Sequence, residues 1–86
     1  MNNPTDALLE ERGRTHGDFT EHALITQELK LAMQRRRGWA RLNHCQAESL
    51  EMIAHKIGRI LSGNPNHADH WDDIAGYARL VSQRVG

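Results

Sequence analysis

Apolar residues recur along this chain at helical spacing in three places. Leu24, Ile25, Leu29, Ala32 and Met33 form the first stripe. Asp18 followed by Glu21 has capping-box spacing just ahead of it, with Asp in place of the usual Ser or Thr. The pattern predicts a helix from Phe19 to Arg36, ended at Gly38. Leu50, Ile53, Ala54, Ile57 and Leu61 make the second stripe, at i, i+3, i+4, i+7 and i+11. Asn43 and Gln46 form a second capping box before it, and Gly63 ends it. Asn64-Pro65-Asn66-His67 is turn chemistry. Trp71, Ile74, Ala75, Ala78, Val81 and Val85 form the third stripe. Gly76 interrupts it at a cost of about 1 kcal/mol relative to alanine. That glycine implies either close approach of a backbone or ligand, or tolerance at an exposed position. Ahead of the stripes, Thr5 to Arg12 predicts a short leading helix with Thr5 as N-cap and Gly13 as its stop. Arg14 to Gly17 then reads as polar and flexible, and residues 1–4 are expected to be flexible as well.

Composition supports helices over strands. Alanine and leucine supply 18 residues and valine two, whereas sheets are rich in β-branched and aromatic residues. The expectation is a single all-α domain of three to four helices over residues 1–86. Eleven basic side chains balance eleven acidic ones. This excludes a disordered polyelectrolyte and argues against nucleic acid as a partner, which calls for a basic excess. No apolar run approaches the length of a membrane span, and the first residues lack signal-peptide character. With Cys45 as its one cysteine, the chain has no internal disulfide, and the expected compartment is a reducing bacterial cytoplasm. A core this small is marginal alone, so a homo-oligomer is expected.

The chemistry concentrates between Glu48 and Tyr77. Glu48, Glu51 and His55 fall within about 60° of one another around the second main helix, off its apolar stripe, with Lys56 and Arg59 further round. Asp69, Asp73 and Tyr77 line up on the third, with His70 and Asp72 beside them. Two acidic stripes on antiparallel neighbours would face one another, as Mg²⁺ requires of its oxygen ligands. Acidic residues in a helix's first turn also complement its dipole with no metal at all. Arg14, Thr15, His16 and Asp18 form a glycine-bearing approach to a helix N-terminus, which suits phosphate, although no P-loop is present. His22 and His44 read as isolated surface histidines, Cys45 as a half-buried structural thiol, and Trp39 and Trp71 as packing residues. Arg35 to Arg37 close a helix, where cations suit the dipole.

The segments LEMIAHKIGRILSGNPNHADHWDDIAGYARL and ERGRTHGDF resemble short phage and prophage proteins related to the MazG-like all-α nucleoside-triphosphate pyrophosphatases. The resemblance spans about residues 10 to 83. It implies a MazG-like helical bundle in which Glu48, Glu51 and Asp73, with Asp69 or Asp72, hold Mg²⁺. Glu51 and Asp73 would be the catalytic carboxylates. His16, Lys56 and Arg59 would neutralise phosphates, and Tyr77 would contact sugar or base. His70 stands where the superfamily pattern has Glu; it and His55 would donate to phosphate oxygens. Two functions follow as expectations. One is hydrolysis of a nucleoside triphosphate to monophosphate and pyrophosphate. The other is a non-catalytic counter-defence protein that sequesters a nucleotide-derived immune signal and needs no metal.

Overall fold

The computed structural model describes residues 4–86; of the residues 1–4 expected to be flexible, Pro4 is instead helical and residues 1–3 lie outside the described residues. Four helices follow in order: α1 (Pro4–His16), α2 (Phe19–Gln34), α3 (His44–Ser62) and α4 (Ala68–Ser82), with a short 3₁₀ turn at Arg37–Arg41 between α2 and α3. Among the described residues there is no strand, and no helix is long and apolar enough to cross a membrane.

The helix boundaries follow local chemistry. Pro4 opens α1, where its missing N–H costs nothing. The helix runs through Gly13 and ends only at Gly17, which has φ +81°. The expected stop at Gly13 and the flexible Arg14–His16 segment are therefore both corrected. A glycine inside a helix is tolerated, whereas only a left-handed residue at the end turns the chain away. The Asp18 carboxylate accepts from the Glu21 N–H and starts α2. Asn43 and Gln46 form a complete capping box on α3, and Gly63 follows its last turn. Trp71 Nε1 donates to the Pro65 carbonyl at 2.8 Å and pins the α3–α4 turn, although the residue is exposed rather than packed. A β-carbon at Gly76 would meet nothing within 4 Å, so that glycine marks open space rather than a close approach.

α3 is the central helix, with α2 on one flank and α4 on the other, while α1 touches α2 and α3 only lightly. Gly58 lets α2 close in. A β-carbon there would lie 2.6 Å from Thr26 Oγ1 and 2.7 Å from His22 Nδ1. On the opposite flank Lys56 reaches Asp73 of α4. At 100° per residue, the stripe Leu50–Ile57–Leu61 falls between these two flanks. Its ends are left uncovered, with Leu61 63% exposed and Leu50 38%, while Ile57 between them is half-buried. Among the described residues only Ala54 and Ile60 are buried apolar side chains, whereas His22, Thr26, Ser49, Lys56 and His70 are buried and polar.

The dimensions agree with an open layer. The radius of gyration is 15.0 Å, against about 12 Å for a compact domain of this length. The accessible surface is 6456 Å², against about 5,200 Å² for a folded monomer of 9.8 kDa.

Candidate functional site

The end of α1 is tied to the α3–α4 turn by a dense set of polar contacts. The Thr15 carbonyl accepts from the Asn64 N–H at 3.1 Å and lies 3.2 Å from His70 Nε2. Ser62 Oγ lies 2.9 Å from the His16 carbonyl and 2.7 Å from that of Gly58. His16 Nδ1 and His70 Nε2 are 3.3 Å apart, and the His67 ring centroid is 4.7 Å from that of His70. A second imidazole pair joins α2 to α3: the His22 and His55 ring centroids are 4.6 Å apart. His22 is 6% exposed and His70 1%, so the expectation of a surface His22 is corrected. His44 is exposed as expected.

These contacts shape a cleft of about 510 Å³ between α1, α2 and α3. Arg12 and His16 line it from α1, Asp18 and Phe19 from the start of α2, and His55 and Arg59 from α3. Leu9 and His22 contribute further wall. Neither arginine is ion-paired among the described residues. Burial, then the Arg59 charge and the neighbouring His70, His67 and Lys56, lowers the His16 pKa to about 4. Burial also lowers those of His22, with Arg59 adding to it, and of His55, with His22 and Arg59 adding. At neutral pH the cleft therefore presents two guanidinium cations, one carboxylate and uncharged imidazoles. His55 Nδ1 is buried with no hydrogen-bond partner among the described residues.

Of the residues expected to meet a ligand, His16, Asp18, His55 and Arg59 come together in this cleft. Asp18 is spent on capping α2, so a carboxylate already occupies the helix N-terminus expected to receive phosphate. Arg14 is exposed and outside the cleft, and the Thr15 hydroxyl turns back to the Glu11 carbonyl. His70 lies buried behind His16. Tyr77 lines a separate groove between the start of α3 and the end of α4, together with Glu48 and Cys45. Cys45 is exposed there, not half-buried. Arg12, His22, Phe19 and Leu9 also line the cleft and were not among the residues expected to meet a ligand. Arg12 stands four residues before His16 and shares its helix face, a relation hidden when α1 is stopped at Gly13.

The acidic residues do not converge within one chain. Lys56 Nζ lies 2.8 Å from Asp73 Oδ2, which sets Lys56 opposite Asp73 in the antiparallel pair. Glu51 and Glu48 then lie five and eight residues back along α3, about 8 and 12 Å away at 1.5 Å per residue. Glu51 accepts from Gln34 Nε2 at 3.3 Å, and Asp69 lies 3.7 Å from His67 Nε2. Asp72 is exposed on the outer side of α4. Among the described residues no three His, Cys, Asp or Glu side chains are grouped to hold a metal ion. The donor set of a single chain thus does not fit Mg²⁺.

Asp73 instead serves as the partner of a buried cation. The Lys56 side chain is 10% exposed, and its hydrogen bond and charge lower the Asp73 pKa. Asp73→Asn is expected to lower the melting temperature, because it leaves the Lys56 ammonium without its counter-charge. Lys56→Met in the same background should recover part of the loss. An unchanged melting temperature for Asp73→Asn would remove the structural role. Because the Asp73 pKa is depressed on folding, this contribution is present above the unfolded carboxylate value of 3.8 and is lost as pH falls through the lower folded value.

The family described as "Domain of unknown function (DUF6378)" matches residues 1–85. No curated protein and no solved structure matches the chain.

Proposed function

The chain belongs to this DUF6378 family, and from the geometry of the α1–α2–α3 cleft we propose that it binds a small phosphorylated nucleotide there without metal-dependent turnover. The observation that carries this reading is the pair of unpaired guanidinium groups, Arg12 and Arg59, on one cleft of about 510 Å³. Guanidinium forks match phosphate oxygens, and such charge-assisted bonds are stronger than neutral ones. Sites for small organic ligands span about 300–1,000 Å³, so a mononucleotide fits. The resemblance to phage proteins related to nucleotide pyrophosphatases points to the same ligand class. The dispersed carboxylates favour sequestration of a nucleotide-derived signal over hydrolysis.

Titration calorimetry with a panel of nucleotides tests the reading. Arg12→Ala and Arg59→Ala are each expected to weaken binding about ten- to a hundredfold, the equivalent of about 1.5–3 kcal/mol for a hydrogen bond to a charged group. Absence of any binding, or binding indifferent to both changes, would sink it. Magnesium-dependent turnover of a nucleoside triphosphate that vanishes in Glu51→Gln would establish the hydrolase instead.

The same proposal includes a second copy of this chain over the uncovered face of α3. About 1,300 Å² of surface exceeds that of a compact monomer of this mass, more than the roughly 800 Å² that each partner of a standard interface buries. The exposed stripe of Leu50 and Leu61 supplies its apolar centre. Mass photometry or sedimentation at micromolar concentration should show a dimer or larger species that Leu61→Glu dissociates. A stable wild-type monomer would exclude it.

A further inference from the structure

We propose that the cleft selects a nucleotide bearing one phosphate group, with its base laid on Phe19, and that additional phosphates gain no affinity there. This inference rests on the nucleotide reading above and narrows it.

The first argument is charge. Arg12 and Arg59 are the cationic side chains on the cleft wall. Lys56 does not add to them, because it is buried against Asp73 at 2.8 Å. The anion position at the start of α2 is taken by the Asp18 carboxylate. The imidazoles of His16, His22 and His55 are held uncharged by burial and by the arginine beside them. They can hydrogen-bond a phosphate oxygen but do not neutralise it. Two guanidiniums and one carboxylate leave a single net positive charge on the wall, which a cyclic diester balances and which a monoester, at about −1.5 to −2 at pH 7, already exceeds. Each further phosphate adds negative charge that meets no cation and lies near Asp18. With no grouped carboxylates among the described residues to hold a divalent ion, that charge has no counter-ion supplied by one chain.

The second argument is the aromatic rim. Phe19 is 79% exposed and is the first residue of α2. Its ring lies 6.3 Å from that of His22 and tilts 41° from it. The ring therefore stands at the mouth of the cleft, next to a buried imidazole on the wall. An aromatic face beside unpaired arginines is the pairing that takes a base and its phosphate together.

Calorimetry at pH 7.5 with EDTA decides it, using adenosine, guanosine, cytidine and uridine monophosphates, cyclic 3′,5′-AMP, the matching triphosphates and inorganic phosphate. The best-bound monophosphate or cyclic diester should be matched or exceeded in affinity by its triphosphate by no more than threefold. Phe19→Ala should weaken that nucleotide about tenfold, in line with base–aromatic stacking, and leave inorganic phosphate binding unchanged. Phe19→Leu, which keeps bulk without a π face, should lose nearly as much. A triphosphate bound more than threefold tighter overturns the single-phosphate inference while the nucleotide reading stands. Equal loss of nucleotide and inorganic phosphate in Phe19→Ala overturns the stacking role. Comparison of monophosphate with cyclic diester tells the two single-phosphate chemistries apart. If none of these compounds binds, the nucleotide reading falls and this inference with it.

Discussion

Lowering the pH from 7.5 to 5 is expected to unfold this protein at temperatures where it is otherwise stable. Four imidazoles, those of His16, His22, His55 and His70, have pKa values lowered on folding, chiefly by burial. For His16 the fall is from 6.5 to about 4. In the unfolded chain each would take up a proton near pH 6.5, so the unfolded state binds more protons than the folded one below that value. Stability from these groups is therefore complete above pH 6.5 and is lost as pH falls towards the folded values. Each contributes at most about 1.4 kcal/mol per pH unit, less where solvent screens it. Several acting together approach the roughly 3–5 kcal/mol that a core of this size supplies. The geometry adds to the effect, because His16 and His70 lie 3.3 Å apart and would meet as two cations. Circular dichroism melts between pH 7.5 and 5 check this. A melting temperature constant to within a few degrees across that range would contradict it, as would resonances of His16, His22, His55 and His70 that titrate near 6.5 in the folded state.

The second large effect comes from a single methyl group. Gly17→Ala places a β-carbon against the Ser62 carbonyl and 2.6 Å from the Gly63 nitrogen, at a residue with φ +81°. Both obstacles are backbone, so no side chain can rotate aside. The left-handed conformation alone costs about 1–2 kcal/mol for a non-glycine residue. With the clash, the loss should reach the roughly 4–5 kcal/mol seen only for exceptional substitutions, enough to undock α1 or prevent folding. Gly13→Ala should do the reverse. Its β-carbon would meet nothing within 4 Å in the last turn of α1, and replacing a helical glycine gains up to about 1 kcal/mol. Denaturant titrations of the two variants should therefore move in opposite directions. A shift of the same sign in both would refute this account of the α1–α2 joint.

Those two glycines show what the sequence could and could not convey. Glycine after an apolar or charged run signals a helix end, but Gly13 and Gly17 carry the same signal, and only the contact with Ser62 and Gly63 distinguishes them. The capping pairs Asp18–Glu21 and Asn43–Gln46 were legible because their partners are local. The stripes located the helices correctly, yet they did not reveal that α3 would bury its flanks and leave Leu50, Ile57 and Leu61 between them. Which side of a helix is covered depends on its neighbours, and Gly58 decides that for α2. For the same reason the acidic stripes were readable as stripes but not as a site. Their register across the antiparallel pair is fixed by Lys56 and Asp73, and it separates the two sets. Four residues of the cleft were within reach of sequence reasoning. Arg12 and His22 were not, since the one needed α1 to continue and the other needed an inward-facing polar side of α2.

α1 contains no buried residue, and its C-terminal end is tied to α3 and the α3–α4 turn through Thr15 and His16. Segments of that kind open at far lower free energy than the body they rest on. The helix nevertheless forms one wall of the cleft through Leu9 and Arg12. Were the proposed nucleotide bound there, opening of α1 would give it a way out, and its residence time is expected to follow the opening rate of that helix. Two ligands of quite different affinity could then share one dissociation rate, their difference appearing in how fast they are captured.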